Sequence, residues 1–341
     1  MKVIASILLG IALIAAASDP RTQAAEPALQ RYKFTEKHMA VDFDITLYTP
    51  DEATAKRAAT AAFARIKQID ETMSDYDPHS ELSRLSDTAP SPQPVPLSDD
   101  LWIVLKCSQE TSEITGGAFD CTVGPVVKLW RRARRTGQLP TDEAIAKAKQ
   151  AVGYRFLELD AAHHTARLTK PAMRLDLGGI AKGYGSAAAI ETLKQHGITR
   201  ALVAGSGDIA VSDPPPGKRG WRIGVEPLEL NGPPTRYVEI ANAGISTSGD
   251  SVQHVKIGGK QYSHVINPLT GIALTDHCSV TVIAGDATTT DGLSTGLSVL
   301  GPEAGLAMIE KVPGGAAYIS RKPADKVETY VSKRFADYEV K

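Results

Sequence analysis

The chain has 341 residues, of which 38 are basic and 39 acidic, and a formal net charge of −1. This length is enough to bury a substantial hydrophobic core, as one large domain or as two smaller ones. The balanced charge gives no support for a nucleic-acid-binding protein, whose surface would be strongly basic.

The first 17 residues have the pattern of a secretory signal. Lys2 precedes an apolar run over residues 3–14, and three alanines follow at 15–17. The run is too short to span a bilayer as a stable anchor. We therefore expect a signal peptide within residues 1–25, cleaved after Ala17 or after Ala25.

Three cysteines, Cys107, Cys121 and Cys278, form no C-x-x-C pair and no Cys/His zinc spacing. In an oxidising compartment one pair could form a disulfide bond. The other interpretation is that all three are buried free thiols.

In the first half of the chain, apolar residues recur at the spacing of strands or of helices. In chain order, the pattern predicts a strand at 42–48, a helix at 52–74, a proline-rich loop at 88–97, a helix at 101–114 and a short helix at 144–151. Gly116 and Gly117 suit the end of the fourth of these elements, because glycine tolerates the backbone of a helix C-cap.

Five basic residues follow the second long helix. They are Lys128, Arg131, Arg132, Arg134 and Arg135. They form either a solvated helical face or a docking patch for an acidic partner or lipid head groups.

The second half begins with a predicted strand–helix–strand unit at 173–177, 180–196 and 201–204. Strands are then predicted at 221–225, 237–240, 244–246, 261–266 and 279–283, helices at 291–299 and 303–311, and a last strand at 316–320. No internal repeat or clean linker is visible. The fold class predicted for residues 30–341 is therefore one α+β domain, with mixed or antiparallel sheets and flanking helices.

Near the C-terminus an acid, Asp291, is followed four residues later by a hydroxyl, Thr295, which is the spacing of about one helical turn. On a helix that starts among the threonines at 288–290, these side chains share one face, about one turn apart. A carboxylate and a hydroxyl are hard oxygen ligands, which suit Mg²⁺ or Ca²⁺ better than zinc. The alternative is that Asp291 only caps the first turn of the helix.

The segment around Gly178 and Gly179 leads into the helix at 180–196. Free backbone N–H groups at such a helix start favour phosphate oxygens. Neither a P-loop nor a G-x-G-x-x-G motif is present, so a nucleotide site here would be of another type. A tight turn with close helix packing is the alternative.

Six motifs occur in a fixed order over most of the chain. They are GAFD at 117–120, LDLGGIAKGY at 175–184, GSGD at 205–208, ISTSGD at 245–250, SHVINPLTG at 263–271 and TTTDGLSTGLSVLG at 288–301. Together they closely resemble the FAD:protein FMN transferase (ApbE) family, from about residue 39 to about residue 301. The resemblance implies an enzyme that transfers FMN from FAD to a Thr or Ser hydroxyl of an acceptor protein, through a phosphoester bond, and releases AMP.

The resemblance also implies roles for individual residues. Asp291, Thr295 and the carbonyl of Gly179 would hold Mg²⁺. The residues expected to contact FAD are Met39, Tyr76, Ala118, Phe119, Asp120, Asp176, Lys182 and Ile266. For Lys182, pairing with the pyrophosphate and a salt bridge to a nearby acid are both open. Tyr76, within MSDYDPHSEL at 73–82, is either an aromatic platform or a half-buried structural residue.

His264 is the candidate general base, because an alcohol must lose its proton and histidine titrates in the useful range. A packed structural histidine is the alternative. Asn267 departs from the family, which usually has Asp before this proline. We expect the lost charge to weaken turn capping or metal affinity.

Two other functions stay open beside the transferase. They are an FAD pyrophosphatase that uses water as acceptor, and a non-catalytic flavin-binding protein. For the transferase, the expected partner is an exported protein with a D-x-x-[ST]-G-[AS]-T motif, such as a subunit of a membrane redox complex. Many relatives are lipoproteins, but no cysteine precedes Cys107. We therefore expect a soluble periplasmic protein without its own membrane anchor.

Overall fold

The computed structural model describes residues 28–228, 234, 236–249, 254–323 and 326–340. The predicted signal peptide at 1–25 and Asp250 of the ISTSGD motif lie outside these ranges. No helix within them is both long and apolar enough to cross a membrane.

The strands are short and scattered along the whole chain. They are β1 Gln30–His38, β2 Val41–Thr49, β3 Val95–Pro96, β4 Leu157–Asp160, β5 Thr165–Leu168, β6 Ala201–Gly205, β7 Asp208–Val211, β8 Trp221–Val225, β9 Arg236–Ile240, β10 Ala243–Gly249, β11 His254–Ile257, β12 Lys260–Ser263, β13 Ile266–Asn267, β14 Ile272–Ala273, β15 His277–Ala284, β16 Ala316–Lys322 and β17 Glu328–Val331.

Helices connect these strands. They are α1 Glu52–Met73, α2 Glu81–Asp87, α3 Asp99–Ile114, α4 Gly124–Thr136, α5 Asp142–Lys149, α6 Ala181–Gln195, α7 Ala287–Ile309 and α8 Phe335–Tyr338. A single 3₁₀ turn, Tyr154–Phe156, precedes β4.

An eight-stranded sheet organises the fold, in the order β1-β2-β6-β7-β10-β15-β16-β17. Each neighbouring pair in it is antiparallel. Helices α1 and α6 pack their apolar faces on β2 and β6, and α7 packs on β15 and β16. The β8–β9 hairpin and α8 cover the other face. This arrangement confirms the α+β prediction.

Residues 173–177, predicted as a strand, do not form a strand of the sheet. Met173, Leu175 and Leu177 alternate and are buried, which is why the segment resembles a strand. Its backbone finds other partners: a single parallel bridge joins Arg174 to Val123, and the Leu175 N–H donates to the Ser86 hydroxyl. The predicted strand–helix–strand unit is therefore wrong.

Helix α7 begins one turn earlier than predicted. Asp286, not a threonine, is its N-cap and accepts the Thr289 N–H at 2.9 Å. Asp291 therefore lies in the second turn and does not cap its own helix. The helix is interrupted at Gly301, whose φ of 75° is not helical, so the two helices predicted at 291–299 and 303–311 are confirmed as two segments of α7.

The three cysteines form no disulfide bond with one another; Cys107 is half-buried and the other two are buried. Burial raises the pKa of Cys107 to about 11, so this thiol is protonated at neutral pH. No disulfide bond therefore ties the fold together within the described residues.

An ion-paired junction fastens three helices near the start of α6. Arg65 of α1 makes a bidentate pair with Asp100 of α3, and the Tyr184 hydroxyl of α6 donates to the same carboxylate at 2.5 Å. Burial by itself raises the pKa of Asp100, but the hydrogen bonds from Arg65 and Tyr184 outweigh it. The pKa of Asp100 lies below its ordinary value as a result.

We predict that Asp100→Asn lowers the free energy of unfolding by about 1–2 kcal/mol at pH 7, because a charged hydrogen-bonded pair is lost and solvent partly screens it. A depressed pKa stabilises the fold above the unfolded-state pKa, and that contribution disappears as the pH falls through the folded-state pKa. The difference between wild type and variant in urea denaturation should therefore shrink below about pH 4 and disappear only when the pH lies below the folded-state pKa of Asp100. The exposed neighbour Asp99→Asn is the control, and a pH-independent difference for Asp100→Asn would contradict the account.

Candidate active site

The site is built where the N-terminus of α6 meets the second turn of α7. The N–H of Gly183 lies in the first turn of α6, where it has no hydrogen-bond acceptor within its own helix. It donates instead to the Asp291 carboxylate at 2.9 Å. A Cβ at Gly183 would lie 2.1 Å from the carbonyl oxygen of Ala287. The two helices can therefore approach this closely only because residue 183 is glycine.

The three predicted metal ligands come from these two elements. A Cβ at Gly179 would lie 2.9 Å from the Thr295 hydroxyl oxygen, so the turn before α6 touches α7 at that residue. Asp291 lies one helical turn before Thr295 and is 3% exposed. The structure thus brings Gly179, Asp291 and Thr295 to one place.

Lys182 lies between two buried carboxylates. Its ammonium is 2.8 Å from Asp208 Oδ2 and 3.7 Å from Asp291 Oδ2. Burial alone lowers the pKa of Lys182, but the two acids outweigh it and raise that pKa above its ordinary value. The salt bridge to a nearby acid is therefore present, and pairing of Lys182 with the pyrophosphate remains a prediction.

Asp208 is the acid of the GSGD motif, and its role does not follow from the sequence. It starts β7 and shares Lys182 with Asp291. Burial, and after it the negative charge of Asp208, raise the pKa of Asp291 to about 7. Two acids share one lysine here, so the site carries an excess of buried negative charge whenever Asp291 is ionised.

This donor set fits a hard divalent cation. It offers a carboxylate and a hydroxyl in contact with the turn at Gly179, and the buried negative charge favours a positive ion. Among the described residues no cluster of three or more His, Cys, Asp or Glu side chains could hold a metal by itself. A cation at this place would therefore need further oxygens from water or substrate, as is usual for magnesium.

Phe119 packs between the turn at Gly179 and helix α7. A Cβ at Gly179 would lie 3.5 Å from its ring, and one at Gly296 would lie 3.4 Å from its own Cβ. Asp120, predicted as a flavin contact, is committed to the loop that follows. Its carboxylate accepts the Thr122 N–H and hydroxyl and the Tyr154 N–H, at 2.6 to 2.8 Å.

Asp176 is held by a residue that the sequence analysis missed. Arg131 donates to its Oδ2 at 2.9 Å, and the Gly178 N–H donates to its Oδ1, also at 2.9 Å. Burial, then the charge of Asp75, raise the pKa of Asp176, and Arg131 opposes that shift. Arg131 belongs to the basic run, which is therefore not simply a solvated face.

Tyr76 is not a half-buried structural tyrosine. It is 78% exposed, and the Arg131 guanidinium carbon lies 4.2 Å from the centre of its ring. An exposed aromatic ring with one face covered leaves the other face available to a flat ligand.

Met39 lies in the tight turn between β1 and β2. It has a positive φ of 48°, which is uncommon for a non-glycine residue, and its N–H donates to Asp70 at 2.8 Å. Its side chain reaches α6, since a Cβ at Gly185 would lie 3.4 Å from Met39 Cε. Met39 therefore approaches the same helix whose start forms the site.

His264 lies in the bend between β12 and β13 and is half-buried. The frame around it is well bonded: the Ser263 N–H donates to the Leu274 carbonyl, and the Leu274 N–H donates to the Val265 carbonyl. Ile266, predicted to contact FAD, buries its side chain in the cluster that contains Trp130 of α4.

Asn267 keeps the turn that follows His264 in place. Its side-chain oxygen accepts the N–H groups of Leu269, at 2.9 Å, and of Thr270, at 3.3 Å. The amide oxygen therefore caps this turn, and capping weaker than that by a carboxylate remains a prediction. Metal affinity at this position remains a prediction.

Comparison with known proteins agrees with this geometry. A model of the ApbE family matches residues 39–319. The chain belongs to the ApbE family. A Klebsiella pneumoniae ApbE relative named FAD:protein FMN transferase is 31% identical over 337 residues, 97% of this chain and 96% of the relative. One from Haemophilus influenzae with the same name is 35% identical over 268 residues, 76% of this chain and 77% of its own.

The fold agrees with solved ApbE structures as well. The flavin transferase ApbE from Vibrio cholerae superposes with a TM-score of 0.81 at 29% identity, over 91% of this chain and 99% of that one. The ApbE resemblance and the ApbE-like fold that the motifs predicted are therefore confirmed.

We predict that Gly183→Ala lowers the free energy of unfolding by about 1–3 kcal/mol, because its Cβ meets rigid backbone of α7 and forces the helices apart. The matched control is Gly185→Ala in the same helix, whose Cβ would lie 3.4 Å from the flexible end of Met39 and 3.8 Å from the Phe43 ring and would meet no backbone. Chemical denaturation of both variants tests this, and equal stability of the two would show that the close approach is not required.

Proposed function

We propose that this ApbE-family chain transfers the FMN part of FAD to a Ser or Thr hydroxyl of an acceptor protein and releases AMP. The observation that carries the proposal is the meeting of Gly179, Asp291 and Thr295 beside Lys182. The names of the relatives, FAD:protein FMN transferase, support the same reaction.

Mg²⁺ is the metal we propose, held by Asp291, Thr295 and the Gly179 carbonyl. When bound, it supplies positive charge against the oxygens of the FAD diphosphate. Lys182 is held nearby by Asp208, and its ammonium adds a further positive charge on the same side. Phe119 and the α6–α7 contact keep these groups in place.

FAD is proposed to extend from this centre toward Asp176 and Tyr76. Tyr76 offers an open aromatic face for a flat ring, and Asp176 a hydrogen-bond acceptor. Ala118, Phe119, Asp120, Met39 and Ile266 remain proposed contacts. At Asp120 and Ile266, backbone atoms would make the contacts with FAD, because both side chains are already packed or bonded elsewhere.

His264 is the proposed general base. It accepts the proton of the acceptor hydroxyl as the hydroxyl oxygen forms a bond to the FMN phosphorus. The bond between that phosphorus and the bridging oxygen breaks, and AMP leaves with the electron pair. An acceptor bearing D-x-x-[ST]-G-[AS]-T, outside the cytoplasm, remains part of this proposal together with export by the segment at 1–25.

We predict that Asp291→Asn removes the metal response while the fold persists, because the amide oxygen can still accept the Gly183 N–H. Mg²⁺ should raise the melting temperature of the wild type and leave that of the variant unchanged. FMN transfer should fall at least about 100-fold, since the charge partner of the metal is lost. Thermal shift with and without Mg²⁺ and transfer assays check both. Wild-type transfer that persists in EDTA would rule out the metal role.

We predict that His264→Asn preserves FAD binding and slows transfer by about 10²–10⁴-fold, the range for losing positioned proton transfer. FAD affinity is read from flavin fluorescence, and transfer from single-turnover labelling of a threonine-containing acceptor between pH 5.5 and 9. Equal transfer rates at every pH would remove His264 from the mechanism. FMN and AMP released at the same rate without acceptor would favour the pyrophosphatase. FAD binding with neither reaction would favour a carrier.

A further inference from the structure

Arg131 joins three segments that lie far apart in the sequence. It is in α4, and its guanidinium pairs with Asp75 in the loop after α1 and with Asp176 before α6. The side chains of these three residues are only 19%, 18% and 9% exposed. Two carboxylates so poorly solvated would repel each other without the cation between them.

The same guanidinium covers one face of Tyr76. Its central carbon is 4.2 Å from the ring centre, within the range of a cation–π contact. Because Tyr76 is 78% exposed, little else in the protein restrains the ring. Arg131 therefore fixes the plane of an exposed ring and leaves its outer face open.

A planar guanidinium is suited to these tasks together. Its forked donors can bond both acids while its flat face lies against the ring, and a lysine ammonium has neither the fork nor the plane. The residue next to it, Arg132, is exposed and makes no side-chain hydrogen bond or ion pair within the described part of the chain. The two arginines therefore differ in role although they are neighbours.

We propose that Arg131 is a positioning residue for FAD, which presets the Tyr76 ring as a platform for the flat end of the cofactor and aims the Asp176 carboxylate at it. This inference rests on the proposed function and names how that site is preorganised. Arg131 acts through Tyr76 and Asp176. Because it already orders these two side chains, less conformational freedom is lost when FAD binds.

The test compares Arg131→Ala and Arg131→Lys with the control Arg132→Ala. FAD affinity is measured by flavin fluorescence well below the melting temperature, Mg²⁺ affinity by thermal-shift titration, and transfer by steady-state kinetics. Arg131→Ala should weaken FAD binding about three- to tenfold, the cost of ordering a side chain on binding when it is no longer held in place beforehand. It should raise KM and leave kcat and Mg²⁺ affinity within about twofold, the pattern of lost uniform binding. Arg131→Lys should recover the melting temperature more than the FAD affinity, and Arg132→Ala should match the wild type.

A double-mutant cycle with Tyr76→Ala separates positioning from a merely structural role. If Arg131 acts in part through the ring, the loss of FAD affinity in the double variant is smaller than the product of the two single losses, and the remainder is the part that acts through Asp176. Effects that multiply would overturn the proposal, as would wild-type FAD affinity in Arg131→Ala or full recovery of affinity in Arg131→Lys. In those cases wild-type transfer would leave the proposed function intact. A wild type that neither binds FAD nor transfers FMN would overturn both.

Discussion

The close contact between the start of α6 and the second turn of α7 is the constraint on which the site depends. It requires a glycine at 183, whose N–H then bonds the Asp291 carboxylate. With the helices at this distance, Gly179 reaches Thr295, and Lys182 lies between Asp208 and Asp291. The positive end of α6 faces the buried acid, which favours its charge and partly offsets the cost of burying it. The junction of Arg65, Asp100 and Tyr184 holds the next residue of the same helix turn.

Much of the fold could be predicted because local periodicity and burial agree. Helix α1 and strands β2 and β15 have their apolar residues at the spacing of their elements, and their boundaries are close to those predicted. The segment at 173–177 could not be assigned correctly, since a buried extended chain alternates like a strand whether or not it joins a sheet. Such a segment joins a sheet only where a neighbouring strand offers backbone hydrogen-bond partners. Here its backbone N–H groups donate instead to the Ser86 hydroxyl and the Cys121 carbonyl.

Asp291 and Thr295 could be derived from their spacing, and Gly179 and the nucleotide candidates from the family motifs, because these signals are local in sequence. Arg131 could not be identified in this way, since its partners Asp75 and Asp176 are 56 and 45 residues away. Nothing in a run of basic residues distinguishes the one that points inward. Asp208 had a signal in the GSGD motif, but its role depends on a lysine from another element.

Two adjacent residues of α4 face different parts of the molecule. Trp130 donates its indole N–H to the Gly271 carbonyl, in the loop that follows His264, and Arg131 reaches Asp176. A helix is stiff, and its successive residues are separated by a fixed rise of about 1.5 Å. The proposed acceptor side and the proposed nucleotide side are thus both bonded to the same helix. A displacement of α4 would therefore act on both sides of the proposed site at once.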